Sequence, residues 1–164
     1  VAKVSIIMGS DSDWPVLEPG WKQLQDLGVE AEVFVASAHR TPDEVREFVT
    51  KAPERGTEVF IAAAGLAAHL PGVVASFTWR PVIGVPISGG PLKGQDALLS
   101  IVQMPPGIPV AAMAIDGGKN AALLAASILA LSDSKLAQKL TEFRAAQAEG
   151  VRAKNKALQD KLRG

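Results

Sequence analysis

Short apolar runs alternate with longer segments of mixed character along the whole chain. Lys3–Met8, Val29–Ala36, Glu58–Ala63, Val82–Pro86 and Pro109–Ile115 read as strands. The third is nearly all apolar, Val-Phe-Ile-Ala-Ala, which suits a parallel strand covered on both faces. Val33-Phe34-Val35-Ala36 likewise reads as a buried strand end. Between these runs, helical spacing predicts helices over Trp14–Leu27, Thr41–Ala52, the stretch after His69-Leu70-Pro71 to about Phe77, Asp96–Met104, Lys119–Leu131 and Asp133–Leu162.

The breaks between elements have their own signals. Asp13 reads as an N-cap with Pro15 in the first turn, and Gly28 stops that helix. Pro19-Gly20 inside it predicts a kink or a restart near Trp21. Thr41-Pro42-Asp43-Glu44 reads as a capping box with proline at the first helical position. Pro53 with Gly56, Trp79-Arg80-Pro81 and Pro105-Pro106-Gly107 mark further ends, and Ile87–Gln95 reads as a loop.

Strands that alternate with helices predict an α/β fold with a parallel sheet and right-handed crossovers. Five such strands suggest a flavodoxin-like three-layer sandwich, its switch point beside the first strand. The long carboxy-terminal helix follows. No internal repeat and no linker stands out, so residues 1–164 are expected to form one domain. Residues 1–131 would be the core, with the helix of 132–164 packing on a neighbouring subunit. Lys119–Leu131 and Asp96–Met104 carry little polar surface. A helix apolar nearly all round must be buried on more than one side. A chain this short can hardly enclose such a helix, so a homo-oligomer is expected.

Composition narrows the function. Seventeen basic residues balance seventeen acidic ones, and no basic block stands out, which disfavours a nucleic-acid partner. No apolar run reaches membrane-spanning length; Val59–Leu70 is broken by Gly65 and His69. A leader is not expected, because Val4–Met8 already reads as a strand, so the expected location is cytoplasmic. With no cysteine and no tyrosine, the near-neutral proton carriers reduce to His39 and His69. Two histidines without a paired carboxylate spacing do not make a metal ligand set, so no metal is expected.

The chemistry falls on loops after strands. Ser37-Ala38-His39-Arg40-Thr41-Pro42 places an imidazole beside a permanent cation between a strand and a helix. That suits proton transfer on an anionic substrate, Arg40 being the phosphate clamp. The plainer alternative is a polar surface turn. Gly9-Ser10-Asp11-Ser12-Asp13 offers backbone N–H groups and two hydroxyls to an anion, yet it is neither a Walker loop nor a dinucleotide fingerprint. A carboxylate repels phosphate, so Asp13 suits a ribose diol, or else only caps the helix. A ribose monophosphate could bridge the two loops. The small apolar run Ala62–Ala68 can supply backbone donors and a dry pocket. His69, at an apolar helix start, reads more readily as a structural histidine than as a catalytic one.

Four motifs in order, Gly9-Ser10-Asp11-Ser12-Asp13-Trp14, Ser37–Pro42, Ala67-Ala68-His69-Leu70-Pro71-Gly72 and Ser100-Ile101-Val102-Gln103-Met104-Pro105, resemble the bacterial class I phosphoribosylaminoimidazole carboxylases. These are the 5-(carboxyamino)imidazole ribonucleotide mutases of purine synthesis. The resemblance implies a flavodoxin-like subunit in an octamer without metal or organic cofactor. It implies that Ser10, Ser12 and Asp13 hold the ribose phosphate, that Arg40 meets the phosphate and that His39 moves the proton. Ser37, Ala64, Gly65, His69 and Leu70 complete the candidate substrate-binding set. The implied reaction shifts a carboxylate from the exocyclic nitrogen to carbon 4 of the imidazole. The alternatives are a carboxylase using free carbon dioxide on the uncarboxylated nucleotide, and a non-catalytic nucleotide-binding subunit. The chain departs from the family at Ala63 and Leu66, where glycines are expected, and Leu66 could crowd the substrate carboxylate.

Overall fold

The computed structural model describes residues 3–164; the first two positions of the expected domain lie outside the described residues. The strands are β1 (Val4–Met8), β2 (Ala31–Val35), β3 (Val59–Gly65), β4 (Val82–Ile87) and β5 (Ala111–Ala112). The helices are α1 (Trp14–Asp26), α2 (Pro42–Lys51), α3 (Leu70–Ser76), α4 (Gln95–Val102), α5 (Gly118–Leu129) and α6 (Ser134–Arg163). All strand pairs are parallel, in the order β2-β1-β3-β4-β5. This is the flavodoxin-like order, with its switch point between β1 and β3.

The period-2 alternation of strand side chains builds two cores. Val4, Ile6 and Met8 of β1, with Val59 and Ile61 of β3, pack with residues of α1 and α5. Ile7, Phe60 and Ala62 face the other way, with residues of α2, α3 and α4. β1, β3 and β4 are thus covered on both faces, which is why their sequences show no polar alternation. Ser5 is the polar exception in β1. It is fully buried and bonds to Thr57 Oγ1 at 2.6 Å and to Glu32 at 2.5 Å.

Several boundaries differ from expectation. The fifth strand, expected over Pro109–Ile115, is two residues long. It is an edge strand paired only at Ile83 and Gly84, so most of its apolar run lies outside the ladder. β2 is also an edge strand: Val33 and Val35 are 39% and 49% exposed, not buried. They line a surface groove with Met8, Trp14 and Trp21. The restart expected near Trp21 as one outcome of Pro19-Gly20 does not occur, and α1 runs through these residues. Gly20 packs against Gly118, where an added Cβ would lie 2.4 Å from the Gly118 carbonyl oxygen. The two bare glycines let α1 and α5 cross closely, and that packing holds the helix through the proline.

α5 is more enclosed by its own chain than its composition suggested. Ala121, Ala122, Ala125 and Ala126 are fully buried among α1 and the sheet, and Leu140 and Leu136 of α6 join the same cluster. α4 is not enclosed, leaving Leu99 and Val102 59% and 46% exposed. α6 starts as expected, Asp133 accepting the Lys135 and Leu136 N–H groups at 3.0 and 3.1 Å. Leu136 is its only buried residue, and every position from 149 onward is exposed.

Candidate functional site

Strand register brings three loops together. Met8 pairs with Val35 on one side and Ala63 on the other, so the loops after β1, β2 and β3 leave the sheet side by side. Backbone bonds tie their roots: Ala36 N–H donates to the Met8 carbonyl at 3.0 Å, and Gly9 N–H to the Ala63 carbonyl at 3.3 Å. This carboxyl edge flanks the switch point, where parallel α/β sheets bind ligands. Hollows of about 660 and 760 Å³ lie at the opposite edge, near Lys3 and Glu58 and near Trp79 and Pro109.

The second loop is a rigid turn. Ser37 Oγ accepts the N–H groups of His39 and Arg40 at 3.3 and 3.1 Å. Thr41 Oγ1 accepts the Ser37 N–H at 2.9 Å and donates to the Ser37 carbonyl at 3.3 Å. The expected capping box therefore does not form. Thr41 stands at the N-cap position, but its hydroxyl turns back into the loop instead of onto α2, while Pro42 does open the helix. The hydroxyl has one geometry to satisfy, and the buried start of the loop wins it. The result is a brace that holds His39 and Arg40 at the surface. The Arg40 guanidinium has no partner among the described residues, so it is available to an anion.

His39 and His69 meet. His39 Nε2 lies 2.7 Å from His69 Nδ1, and the rings stand edge to face at 79°. Both histidines are exposed. His69, which reads from the sequence more readily as structural, sits just before α3 with its ring turned out to the β2 loop. At this distance one ring donates and the other accepts, so a single proton is shared between the facing nitrogens. Such a pair is placed to take and return one proton. Nothing in the sequence spacing, 30 residues, linked the two; only the parallel register does.

The first loop differs from expectation at Asp13. A one-turn 3-10 helix over Asp11–Asp13 precedes α1, and Ser10, not Asp13, is its cap, accepting the Ser12 N–H at 3.2 Å. Ser10 and Ser12 hydroxyls bond at 2.8 Å. Asp13 makes no side-chain cap bond to α1 and is buried. Burial pushes its carboxyl above the ordinary 3.8. A bond from the Ser10 backbone opposes this, and the charges of Asp11 and Asp116 add to it. A carboxylate held against desolvation and like charge suggests a functional rather than a stabilising role. The sign gives a prediction. A raised folded pKa means that ionised Asp13 costs stability, a cost that grows as pH rises from the unfolded value through the folded one. Asp13→Asn should therefore raise the thermal midpoint at pH 7, and the gain should vanish below about pH 3.8. Melting curves across pH check it; a lower midpoint at pH 7 would contradict it.

The remaining candidates lie in the third loop. Ala64 and Gly65 end β3, and Leu70 begins α3 with its side chain in the core. Leu70 therefore has its backbone, not its side chain, to offer a ligand. The loop after β4, expected over Ile87–Gln95, joins the edge as a fourth loop, held by a contact of which the sequence offered no sign. Asp116, at φ +60°, accepts the Ser88 N–H at 2.8 Å and the Ser88 hydroxyl at 2.5 Å. Among the described residues, no three His, Asp or Glu side chains converge as a metal site. No helix among them is long and apolar enough to cross a membrane.

Comparison with known proteins agrees with this geometry. The sequence profile of the AIR carboxylase family matches residues 3–150. The N5-carboxyaminoimidazole ribonucleotide mutase of Pyrococcus abyssi is 58% identical over 142 residues, 87% of this chain and 82% of that protein. The protein of the same name from Methanocaldococcus jannaschii is 54% identical over 157 residues, 96% of this chain and 98% of that one. The crystal structure of Treponema denticola PurE superposes with a TM-score of 0.87 at 30% identity, covering 96% of this chain and 99% of that one. A braced His-Arg turn, its histidine partner and a serine-rich first loop thus stand on the fold and sequence of one known group: this chain belongs to the AIR carboxylase family.

Proposed function

We propose that this chain is an N5-carboxyaminoimidazole ribonucleotide mutase of purine synthesis. It moves the carboxylate from the exocyclic nitrogen to C4 of the imidazole, giving 5-amino-1-(5-phospho-D-ribosyl)imidazole-4-carboxylate. The observation that carries this reading is the 2.7 Å contact of His39 and His69 on the edge shared with the Ser10–Asp13 loop. In this reading Arg40 meets the phosphate, Ser10 and Ser12 assist it, and Asp13 accepts from the ribose hydroxyls. Ser37 braces the turn, while the backbones of Ala64, Gly65 and Leu70 and the His69 ring border the reacting carboxylate.

The chemistry then needs one proton carrier. Cleavage of the carbamate N–C bond releases carbon dioxide and leaves the electron pair on nitrogen, which takes a proton from His39. Carbon 4 attacks the carbon dioxide, and its hydrogen leaves as a proton to the same imidazole. The step is balanced within the site, and no cofactor enters it. A purely nucleotide-binding role would need Arg40 but not the histidine pair. Following absorbance during incubation with the carbamate nucleotide tests the reading. Growth of the 4-carboxylate product without added bicarbonate supports it. A product that forms only from the uncarboxylated nucleotide with bicarbonate would make the chain a carboxylase instead.

The assembly belongs to the same reading. The site is an open edge on one chain, and apolar surface is left uncovered on β2, α4 and α6. Val35, Leu99, Val151 and Leu162 are between 49% and 70% exposed. Burying such surface against further copies would remove it from water. We therefore expect one domain whose carboxy-terminal helix packs on a neighbouring subunit, in a cytoplasmic homo-oligomer, an octamer by the family likeness. Light scattering at micromolar concentration should give an oligomer; a monomer peak would refute it.

A further inference from the structure

Leu66 is strained. Its φ is +52°, in the left-handed region that a leucine rarely adopts. Such strain persists only where the surroundings hold it, and it concentrates at working sites. What holds Leu66 is on the neighbouring loop. Gly90 is also left-handed, at φ +65°, and a Cβ built on it would lie 2.5 Å from Leu66 Cδ2. The leucine side chain occupies the space that a side chain at position 90 would take. Part of its bulk, which from the sequence could crowd the substrate carboxylate, is received in this way by the loop after β4, the residue remaining 53% exposed. That loop is itself held, because Ser88 is bonded twice to Asp116.

The consequence runs to the histidines. Only residues 66–69 separate β3 from α3. Within this short span Ala68 is fully buried, and His69 N–H donates to the Ala67 carbonyl at 2.8 Å. Two side chains of this span thus reach neighbouring loops: Leu66 meets the loop after β4, and His69, three residues on, meets the loop after β2. We propose that Leu66 is a positioning residue: seated on Gly90, it latches the third loop to the fourth and so fixes His69 against His39. The catalytic part of this rests on the mutase reading; the latch itself does not.

Three variants and three readouts test it. Leu66→Gly relieves the backbone strain but removes the latch, so its thermal midpoint should equal or exceed that of the parent. Exchange of the hydrogen-bonded His69 amide should nevertheless rise about tenfold or more, since local opening no longer breaks the contact. The kcat for the carbamate nucleotide should fall roughly tenfold with KM little changed, as expected for a misplaced catalytic group. Gly90→Ala should raise exchange of the same amide by displacing Leu66, and Leu66→Ala added to it should not raise it further. Exchange within twofold of the parent in both Leu66→Gly and Gly90→Ala would overturn the latch. Faster exchange with unchanged kcat would overturn its catalytic consequence. If the parent itself does not turn over the nucleotide, the mutase reading fails, while the exchange result still decides the latch.

Discussion

Replacing His39 by asparagine should lower turnover at least ~100-fold while fold, assembly and nucleotide binding survive, the lower range for losing a positioned acid/base. With no cysteine or tyrosine in the chain, the imidazoles of His39 and His69 are the proton carriers it offers for this chemistry. His39 stands on the turn braced by Ser37 and Thr41, beside the guanidinium that would hold the substrate. Asparagine leaves that brace in place, because the bonds run to the His39 and Arg40 backbone and not to the ring. It keeps hydrogen-bonding groups of similar reach but cannot carry a proton. The pH–rate profile should also lose one limb. His69→Asn should be milder, since it removes the partner and keeps the carrier. Steady-state rates of both variants decide the matter: a nearly normal His39→Asn with a dead His69→Asn would transfer the role to His69.

The second large effect concerns Arg40. Arg40→Ala should weaken binding of a ribose monophosphate by about 1.5–3 kcal/mol, the range for a hydrogen bond to a charged group. The guanidinium is exposed and unpartnered among the described residues, so its removal leaves no buried group stranded and should not lower stability. The dephosphorylated nucleoside should bind both proteins nearly equally. Calorimetry with the two ligands checks this. Equal losses for both would mean that Arg40 does not meet the phosphate.

Much of this fold was legible because α/β chains announce themselves. β1, β3 and β4 are buried on both faces, so their apolar runs are continuous and their limits fell within a residue or two of the expectation. The edges were harder to read. β2 and β5 have similar apolar sequences, yet β2 has two half-exposed valines and β5 is reduced to two residues. Being an edge strand is a property of the neighbours and not of the strand's own pattern. The restart expected after Pro19 failed for a related reason: the glycine that looked like an interruption is the contact surface with α5.

The site was half legible. Loops at strand ends and their polar residues could be found from the chain, and the family likeness ordered them. What residues do with their polar atoms could not. Asp13 and Thr41 both occupy cap positions, and neither caps its α-helix by side chain, because Ser10 caps the preceding turn and the Thr41 hydroxyl is engaged by Ser37. The His39–His69 contact and the Ser88–Asp116 brace join residues about 30 positions apart, so both required the sheet register. The Glu32–Arg55 pair is another such case. Burial pushes the Glu32 carboxyl up, but the bidentate Arg55, with Ser5 and Thr57, outweighs this and holds it below its ordinary value.

The most direct test follows the carboxylate itself. The carbamate nucleotide, labelled with carbon-13 in its carboxylate, is incubated with the protein in excess unlabelled bicarbonate, and the product is read by mass spectrometry. The mutase account predicts that the 4-carboxylate product retains the label, because the carbon dioxide released in the site is captured there before it can exchange with solvent. A product carrying unlabelled carboxylate, or no product at all, would contradict it.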